Sequence, residues 1–131
     1  MINNNYKYSE ETGKIIGAAL EVHKVLGNGF QEVIYQRALE IEFSNANILF
    51  KREFEIPVMY KGDQIGTRRV DFLVAEKISV ELKAIIQLEN VHFAQAINYL
   101  EAYKLEIGLL LNFGSESLGI KRLLNKKMSK L

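Results

Sequence analysis

The sequence contains no cysteine, no tryptophan and a single proline, Pro57. The absence of cysteine excludes disulfides, thiolate zinc sites and cysteine nucleophiles, and it favours a reducing compartment such as the cytoplasm. No apolar run approaches the ~20 residues of a membrane-spanning helix. Residues 1–11 (MINNNYKYSEE) also have neither the basic nor the apolar region of a secretory signal. We therefore expect a cytoplasmic protein that does not act at a membrane.

Length and composition predict a single domain over residues 1–131. With 48% hydrophobic residues, a chain of this length buries roughly two thirds of its unfolded surface in one core. The net charge is +1, yet the C-terminal segment 121–131 (KRLLNKKMSKL) holds five of the 17 basic residues and no acid, which leaves 12 basic and 16 acidic residues, a net −4, in the rest of the chain. Such a basic segment either contacts phosphates or is only a solubilising chain end.

Three segments have the periodicity of helices and four have that of strands. The helical stripes are Ile15, Ala19, Val22 and Leu26; Phe30, Ile34, Ala38 and Ile41; and Val91, Ala94, Ile97 and Leu100. The predicted strands are 53–60, 64–75, 78–86 and the continuous apolar run 107–113. The order ααβββαβ, followed by a short basic element, predicts an α/β fold in which the first three strands form a meander.

Individual residues mark the ends and edges of these elements. Thr12 is expected to cap the first helix, and Gly27 to end it by taking a positive φ. Pro57 cannot donate to a strand ladder, so its strand is expected at a sheet edge.

The hairpin VDFLVAEKISVELKA (70–84) carries acids inside two apolar strands. With residues 75–77 as the loop, the facing pairs are Val74–Ile78, Phe72–Val80, Asp71–Glu81 and Val70–Leu82. A slip of one residue would mix polar and apolar side chains on both faces, so this register is favoured. It places the two carboxylates about 5 Å apart at Cβ, where they repel and need a compensating charge.

Two interpretations of these acids are open. In one, carboxylate oxygens, a main-chain carbonyl and waters hold Mg²⁺ or Mn²⁺, and Lys83, on the same face as Glu81, stabilises charge near an attacking water. In the other, the acids form the solvated side of an amphipathic hairpin, and Lys83 pairs with Asp71 or Glu81.

An Asp on the second strand and a Glu-x-Lys on the third, in this order of elements, resemble the PD-(D/E)xK phosphodiesterase superfamily, which has a restriction-endonuclease-like core. Residues 29–35 (GFQEVIY) are similar to the Gly-x-x-Glu-x-x-Tyr signature of the GxxExxY family of small prokaryotic proteins within it. The similarity continues through TGKIIGAALEVHKVLGNGF, VDFLV, VELKAI, HFAQAINYL and GLLLNFG. Two positions depart from the patterns, because Val70 and Asn28 stand where prolines are common.

This resemblance implies a role for seven residues. The implied set comprises the metal ligands Asp71, Glu81 and Leu82 (through its carbonyl), the catalytic Lys83, an additional acid Glu32, and the pair Gln95 and Tyr99. Their spacing of four puts Gln95 and Tyr99 on one face of the third helix. Without the resemblance, Tyr99 would be assigned to the core and Gln95 to the surface.

Three further residues have two interpretations each. His23 either abuts the site and takes part in substrate binding or proton transfer, or it is a half-buried histidine of an amphipathic helix. Arg68 and Arg69 either contact a phosphate backbone or shield the carboxylates. His92, near a helix start, receives no role. The sequence has no Ser-His-Asp triad, phosphate-binding glycine loop or dinucleotide fingerprint.

The sequence and the resemblance together predict a restriction-endonuclease-like domain, with a central mixed sheet flanked by helices, that hydrolyses nucleic acid with Mg²⁺ or Mn²⁺. DNA is expected in preference to RNA. Two alternatives remain: a non-catalytic nucleic-acid-binding or assembly module, and a hydrolase of small phosphoesters. Because so small a domain has little surface for reading sequence, a homodimer or a protein partner is expected to supply specificity.

Overall fold

The computed structural model describes residues 8–128, which form three helices and one five-stranded sheet. The elements are α1 (Ser9–Leu26), α2 (Glu32–Asn45), β1 (Phe50–Tyr60), β2 (Asp63–Val74), β3 (Ile78–Lys83), α3 (Asn90–Tyr103), β4 (Ile107–Asn112) and β5 (Gly119–Leu124). Residues 1–7 of the N-terminal stretch and 129–131 of the basic segment lie outside the described residues. Within 8–128, no helix is long and apolar enough to span a membrane.

The sheet is mixed and has the order β1-β2-β3-β4-β5. Strands β3 and β4 are parallel and the other neighbours are antiparallel. A parallel connection needs a crossover, and α3 provides it. The predicted meander of β1, β2 and β3 is confirmed, as is the edge position of the strand that contains Pro57. The short basic element at the C-terminus begins as β5.

Helices cover both faces of the sheet, as predicted. The larger core cluster packs α1 and α2 against side chains such as Phe72 and Leu111. The smaller cluster packs α3, through Tyr99 and Leu100, against the opposite face. All six residues of β4 are buried, which agrees with the continuous apolar run that predicted a doubly covered strand.

The buried face of α2 differs from the predicted one. Phe30 and Ile41 are 49% and 60% exposed, whereas Tyr35, Leu39 and Phe43 are fully buried. Both stripes fit the helical period, but the stripe that contains two aromatic rings buries more apolar surface and therefore faces the core. The helix also begins only at Glu32, so Phe30 lies before it.

The predicted stripe of α3 and the predicted cap of α1 are likewise wrong. In α3 only Leu100 of the predicted stripe is fully buried, and Ala96 and Tyr99 complete the buried set. Thr12 lies inside α1, because the helix starts three residues earlier at Ser9. The other end of α1 is as expected, since Gly27 follows its last residue with a φ of +69°.

Val70 packs on the opposite face from the predicted one. It lies in the smaller cluster with Leu73, whereas Phe72 lies in the larger cluster. The pairing of β1 with β2 skips Glu53, whose φ of +52° interrupts the extended backbone beside Asp71. The alternation of faces therefore changes at this point, and the interruption falls at the first predicted metal ligand.

Candidate functional site

The ladder between β2 and β3 ends just before the two acids. The pairs Phe72–Val80, Leu73–Ser79 and Val74–Ile78 have the predicted register. In these described strands the predicted pairs Asp71–Glu81 and Val70–Leu82 are absent from the ladder. The Asp71 carboxylate replaces main-chain pairing, because the Leu82 N–H donates to its Oδ2 at 2.7 Å.

A cleft of about 360 Å³ lies where this pairing stops. The residues that line it are Glu32, Arg68, Arg69, Asp71, Glu81, Leu82, Lys83 and Gln95. Six of the seven predicted site residues are therefore brought together, from α2, β2, β3 and α3. A second hollow of about 290 Å³ shares Glu32, Arg69 and Asp71 with the cleft and extends it along α2.

Asp71 is held by a chain of polar contacts that the sequence did not reveal. Gln36 Nε2 donates to Asp71 Oδ1 at 2.8 Å, and Arg52 Nε donates to Gln36 Oε1 at 2.8 Å. Arg52 also donates to Glu40 Oε1 at 3.2 Å. Gln36 lies one helical turn after Glu32, and that spacing was the available sequence signal that it faces the site. Both Asp71 oxygens are thus fixed before any ligand binds.

Glu81 is paired with Arg68. Arg68 Nη2 lies 2.7 Å from Glu81 Oε2 and also donates to the Gln95 carbonyl oxygen at 3.1 Å. Only 10% of the Glu81 side chain is exposed. Of the two interpretations of Arg68, shielding of a carboxylate is therefore observed. Arg69 lies farther out, with Nη1 3.9 Å from Glu53 Oε1.

Lys83 does not form the ion pair with Asp71 or Glu81 that the amphipathic-hairpin interpretation predicts. Among the described residues it forms no ion pair within 4 Å, so Glu81 is neutralised by Arg68 instead. Its ammonium group lines the cleft and lowers the pKa of Asp71, Glu81 and Glu32 electrostatically. An unpaired cation beside three acids is suited to stabilising negative charge on a bound group.

All three cleft acids have pKa values above the ordinary carboxyl range. Loss of hydration is the main cause for each. Repulsion from Asp71 raises the pKa of Glu32 and of Glu81 further. Hydrogen bonds to Asp71 and the charge of Arg68 beside Glu81 lower these pKa values only in part. The cleft therefore favours an additional positive charge.

The donor set fits a hard divalent cation. Carboxylate oxygens are the ligands that Mg²⁺ and Mn²⁺ prefer, and a bound cation would stabilise the charged form of acids that have lost hydration. Within residues 8–128, no three His, Asp or Glu side chains converge as a complete metal cage. Mg²⁺ does not require one, because it is commonly held by one or two carboxylates together with waters and substrate phosphate.

Tyr99 is the predicted site residue that the cleft does not include. It is fully buried in the smaller cluster, and burial strongly raises the pKa of its hydroxyl. That hydroxyl has no hydrogen-bond partner among the described residues. Its ring centroid lies 6.0 Å from the Arg68 guanidinium carbon. Tyr99 thus contacts the site through Arg68, whereas Gln95 is exposed and lines the cleft.

The two histidines lie outside the cleft. His23 Nε2 donates to the Ser115 carbonyl oxygen at 3.1 Å and thereby links α1 to the loop between β4 and β5. His92 completes a capping box at the start of α3, where its Nδ1 accepts a hydrogen bond from the Glu89 N–H at 2.9 Å. Both contacts are structural.

Comparison with known proteins identifies the family. The family model of the PD-(D/E)XK nuclease superfamily matches residues 9–123. The crystal structure of SSO0001 has a similar fold, with a TM-score of 0.56 and 20% sequence identity over 88% of this chain and 58% of that chain. This chain thus spans less than two thirds of that relative. No curated protein matches. Because the family match includes all three helices and nearly the whole sheet, the chain belongs to the PD-(D/E)XK nuclease superfamily.

Proposed function

We propose that this protein is a metal-dependent phosphodiesterase that hydrolyses nucleic acid, DNA in preference to RNA. Membership of a nuclease superfamily supports an activity on nucleic acid. The observation that carries the proposal is the convergence of Asp71, Glu81 and Lys83 in one cleft where the β2–β3 ladder ends. The motif GFQEVIY supports placement in the GxxExxY family within the superfamily.

Asp71, Glu81 and the Leu82 carbonyl are the proposed ligands for Mg²⁺ or Mn²⁺, the kind of ion that this superfamily generally uses. When bound, the ion supplies Lewis-acid activation of water and neutralisation of phosphate charge. Gln36 and the Leu82 N–H keep the Asp71 carboxylate in one orientation. A ligand that is fixed in advance loses little entropy when the cation binds.

The remaining cleft residues position the substrate and handle protons. Lys83 stabilises negative charge on the phosphate as water attacks in line. Glu32, whose pKa is raised, holds a proton at higher pH than an ordinary carboxyl and so exchanges protons with water near the phosphate. Gln95 contacts the substrate from α3, and the ring of Tyr99 positions the Arg68 guanidinium group.

One observation favours the non-catalytic alternative. The ion pair between Arg68 and Glu81 occupies an oxygen that a metal ligand needs, so a module that has kept the fold as a binding surface would have the same contact. A hydrolase of small phosphoesters also remains, because a cleft of about 360 Å³ is the size of a small-ligand site. In each case a second copy or a protein partner would extend the recognition surface.

Calorimetric titration of Mg²⁺ and Mn²⁺ into wild type and Asp71→Ala tests the proposal, together with cleavage assays of single- and double-stranded DNA and RNA and of nucleotides on the same samples. We expect wild type to bind metal and cleave polymers, and Asp71→Ala to lose both while remaining folded by circular dichroism. Asp63→Ala is the matched control, because Asp63 is an exposed acid on the same strand.

The possible results separate the three functions. If wild type neither binds metal nor cleaves nucleic acid, the non-catalytic binding module is the function that remains. Hydrolysis of nucleotides without hydrolysis of polymers would indicate the small-phosphoester enzyme. Equal activity of wild type and Asp71→Ala would show that Asp71 is not part of the active site.

A further inference from the structure

A larger hollow, which the proposed chemistry does not use, lies beside the cleft. This hollow, the loop pocket, has a volume of about 670 Å³ and is lined by residues 28–30, 84–87, Glu89 and Gly114. The chain connects the two sites directly. Ala84 of the loop pocket follows Lys83 of the cleft, and Phe30 precedes Glu32 by two residues. At 3.8 Å per residue, these neighbours lie within one nucleotide of each other.

One wall of the loop pocket is an exposed aromatic ring on a fixed support. Phe30 is 49% exposed, and its ring meets that of the buried Tyr35 edge-on at 6.2 Å. The Phe30 N–H donates to the Tyr35 hydroxyl at 3.1 Å, and this hydroxyl donates to the Gly27 carbonyl oxygen at 2.6 Å. Gly29 takes a φ of +113° between them. The Gly and Tyr of the GxxExxY motif therefore build this wall, while its Glu enters the cleft.

The part of the lining that contains Ile86 is also held in place. Ile86 is 90% exposed, but the residue before it is clamped by the buried Asn112 side chain. Asn112 accepts a hydrogen bond from the Ile85 N–H at 3.0 Å and donates one to the Ile85 carbonyl oxygen at 2.9 Å. A Cβ on Gly114 would lie 2.2 Å from Ile85 N, so this loop is also closely packed. The exposed side chain of Ile86 thus lies on a well-packed loop, which suits a residue that contacts a ligand.

Basic side chains are found at only one of the two sites. The cleft contains the cations Arg68, Arg69 and Lys83 beside the acids Glu32, Asp71 and Glu81, whereas the described residues that line the loop pocket include one acid, Glu89, and no Lys, Arg or His. The pocket instead offers the amides of Asn28 and Gln87, which form no hydrogen bonds with described residues. With a divalent cation on the acids, as proposed, the cleft favours a phosphate. The loop pocket has no cation among its lining residues, so it favours a flat, uncharged group with polar edges beside Phe30 and Ile86. A phosphate and such a group together describe a nucleotide.

We propose that the loop pocket binds an unpaired nucleobase of the strand whose phosphate lies in the cleft. Phe30 stacks on the base, Ile86 covers its other face, and Asn28 and Gln87 bond its edge. A base that is paired and stacked in an intact duplex cannot enter, so the substrate class is single-stranded nucleic acid or a duplex with a displaced base. The inference rests on the proposed function, since it assumes a phosphate in the adjacent cleft.

Oligonucleotides that contain one fluorescent base, 2-aminopurine, test the pocket in single-stranded and in fully paired form. Affinity and fluorescence are measured in EDTA so that no cleavage occurs. We expect wild type to bind the single strand about tenfold or more tightly than the duplex and to quench the fluorophore. Phe30→Ala should weaken single-strand binding about 5- to 100-fold, the range of base stacking on an aromatic ring. Ile86→Ala, which removes an aliphatic contact, should weaken it less, and both variants should leave duplex binding unchanged.

Exposed residues at the tip of the β1–β2 hairpin provide matched controls. Tyr60→Ala and Ile65→Ala remove side chains that are 58% and 66% exposed, and should leave binding as in wild type. Phe30→Leu keeps the apolar contact with Tyr35 and removes only the aromatic face, so its loss of quenching would separate stacking from folding.

The failure of this inference differs from the failure of the proposed function. Equal binding of single strand and duplex, with Phe30→Ala like Tyr60→Ala, would overturn the base pocket and leave a nuclease that reads only the backbone. The exposed wall would then be a surface for a protein partner. A wild type that binds no nucleic acid in EDTA but cleaves it with Mg²⁺ would overturn the base pocket alone, and one that neither binds nor cleaves nucleic acid would overturn both.

Discussion

At the scale of single residues, Arg68 occupies the position that the proposed metal needs. Its guanidinium group neutralises a nearly buried carboxylate at 2.7 Å, which is where a divalent cation would act. If Glu81 is a metal ligand as proposed, the metal and Arg68 compete for it, and a charge-assisted hydrogen bond has to break before the metal binds. Release of Arg68 would also free its guanidinium group for a phosphate in the same cleft.

Removal of Arg68 is expected to strengthen metal binding. In Arg68→Ala, Glu81 has no partner and the positive field at the cleft falls, so the affinity for Mn²⁺ at pH 8 should rise about tenfold, the lower end of the energy of a hydrogen bond to a charged group. Calorimetry measures this change. Arg69→Ala is the matched control, because Arg69 lines the cleft without bonding Glu81. Unchanged or weaker affinity in Arg68→Ala would show that the two cations do not compete.

The site acids could be predicted from the sequence, but their partners could not. Alternation of apolar residues predicts the register of the three pairs that the β2–β3 ladder contains, but the ladder stops before the predicted Asp71–Glu81 pair. The two acids lie in the same cleft without being a ladder pair. The contacts of Gln36 with Asp71 and of Arg68 with Glu81 span 35 and 13 residues. They depend on how α2 packs on the sheet and on where main-chain pairing stops, and neither is encoded in a local pattern.

At the scale of elements, periodicity predicted which segments are helices more reliably than which face they bury. In α2 the aromatic stripe of Tyr35 and Phe43 faces the core, and Phe30 is left exposed. The error is informative. Periodicity assigns Phe30 to the core, but the fold leaves it exposed, so its side chain is available for binding. The same reasoning applies to Val91 in α3.

Close contact between the β4–β5 loop, at Gly114, and the β3–α3 loop predicts the effect of a single methyl group. The backbone of Gly114 is not in the positive-φ region, so a side chain there is excluded only by contact with the backbone of Ala84 and Ile85. Gly114→Ala should therefore lower the free energy of unfolding by about 1–3 kcal/mol, as overpacking of a rigid contact does. It should also displace Ile86 and weaken single-strand binding.

Urea unfolding of Gly114→Ala and Gly66→Ala provides the measurement. Gly66 lies in β2 with open space around its Cα, so alanine there should be neutral or slightly stabilising. If both variants are equally stable, the contact is not rigid and the loop moves freely.

At the scale of the whole molecule, a net charge of +1 conceals a cleft in which three acids lie beside three cations. Loss of hydration raises the pKa of Glu32, Asp71 and Glu81 in the folded state. Over the pH range that starts near their ordinary values, 3.8 for Asp and 4.5 for Glu, and ends at the raised values, the folded protein holds more protons than the unfolded chain. Linkage then requires that the contribution of these groups to stability falls as pH rises.

The difference in the free energy of unfolding between wild type and Asp71→Asn isolates one of these groups. Well below 3.8, the ordinary pKa of Asp, both proteins carry a neutral side chain at position 71, and as the pH rises above it only wild type must ionise a buried carboxyl. Asp71→Asn should therefore gain stability relative to wild type as pH rises from 4 to 7 in EDTA, and urea unfolding at several pH values measures this gain. Asp63→Asn, at an exposed site on the same strand, is the matched control. A difference for Asp71→Asn that stays flat or reverses would mean that Gln36, Leu82 and Lys83 already compensate the charge.

Mg²⁺ should act in the opposite direction, since a cation that binds the ionised acids stabilises wild type more at pH 7 than at pH 4.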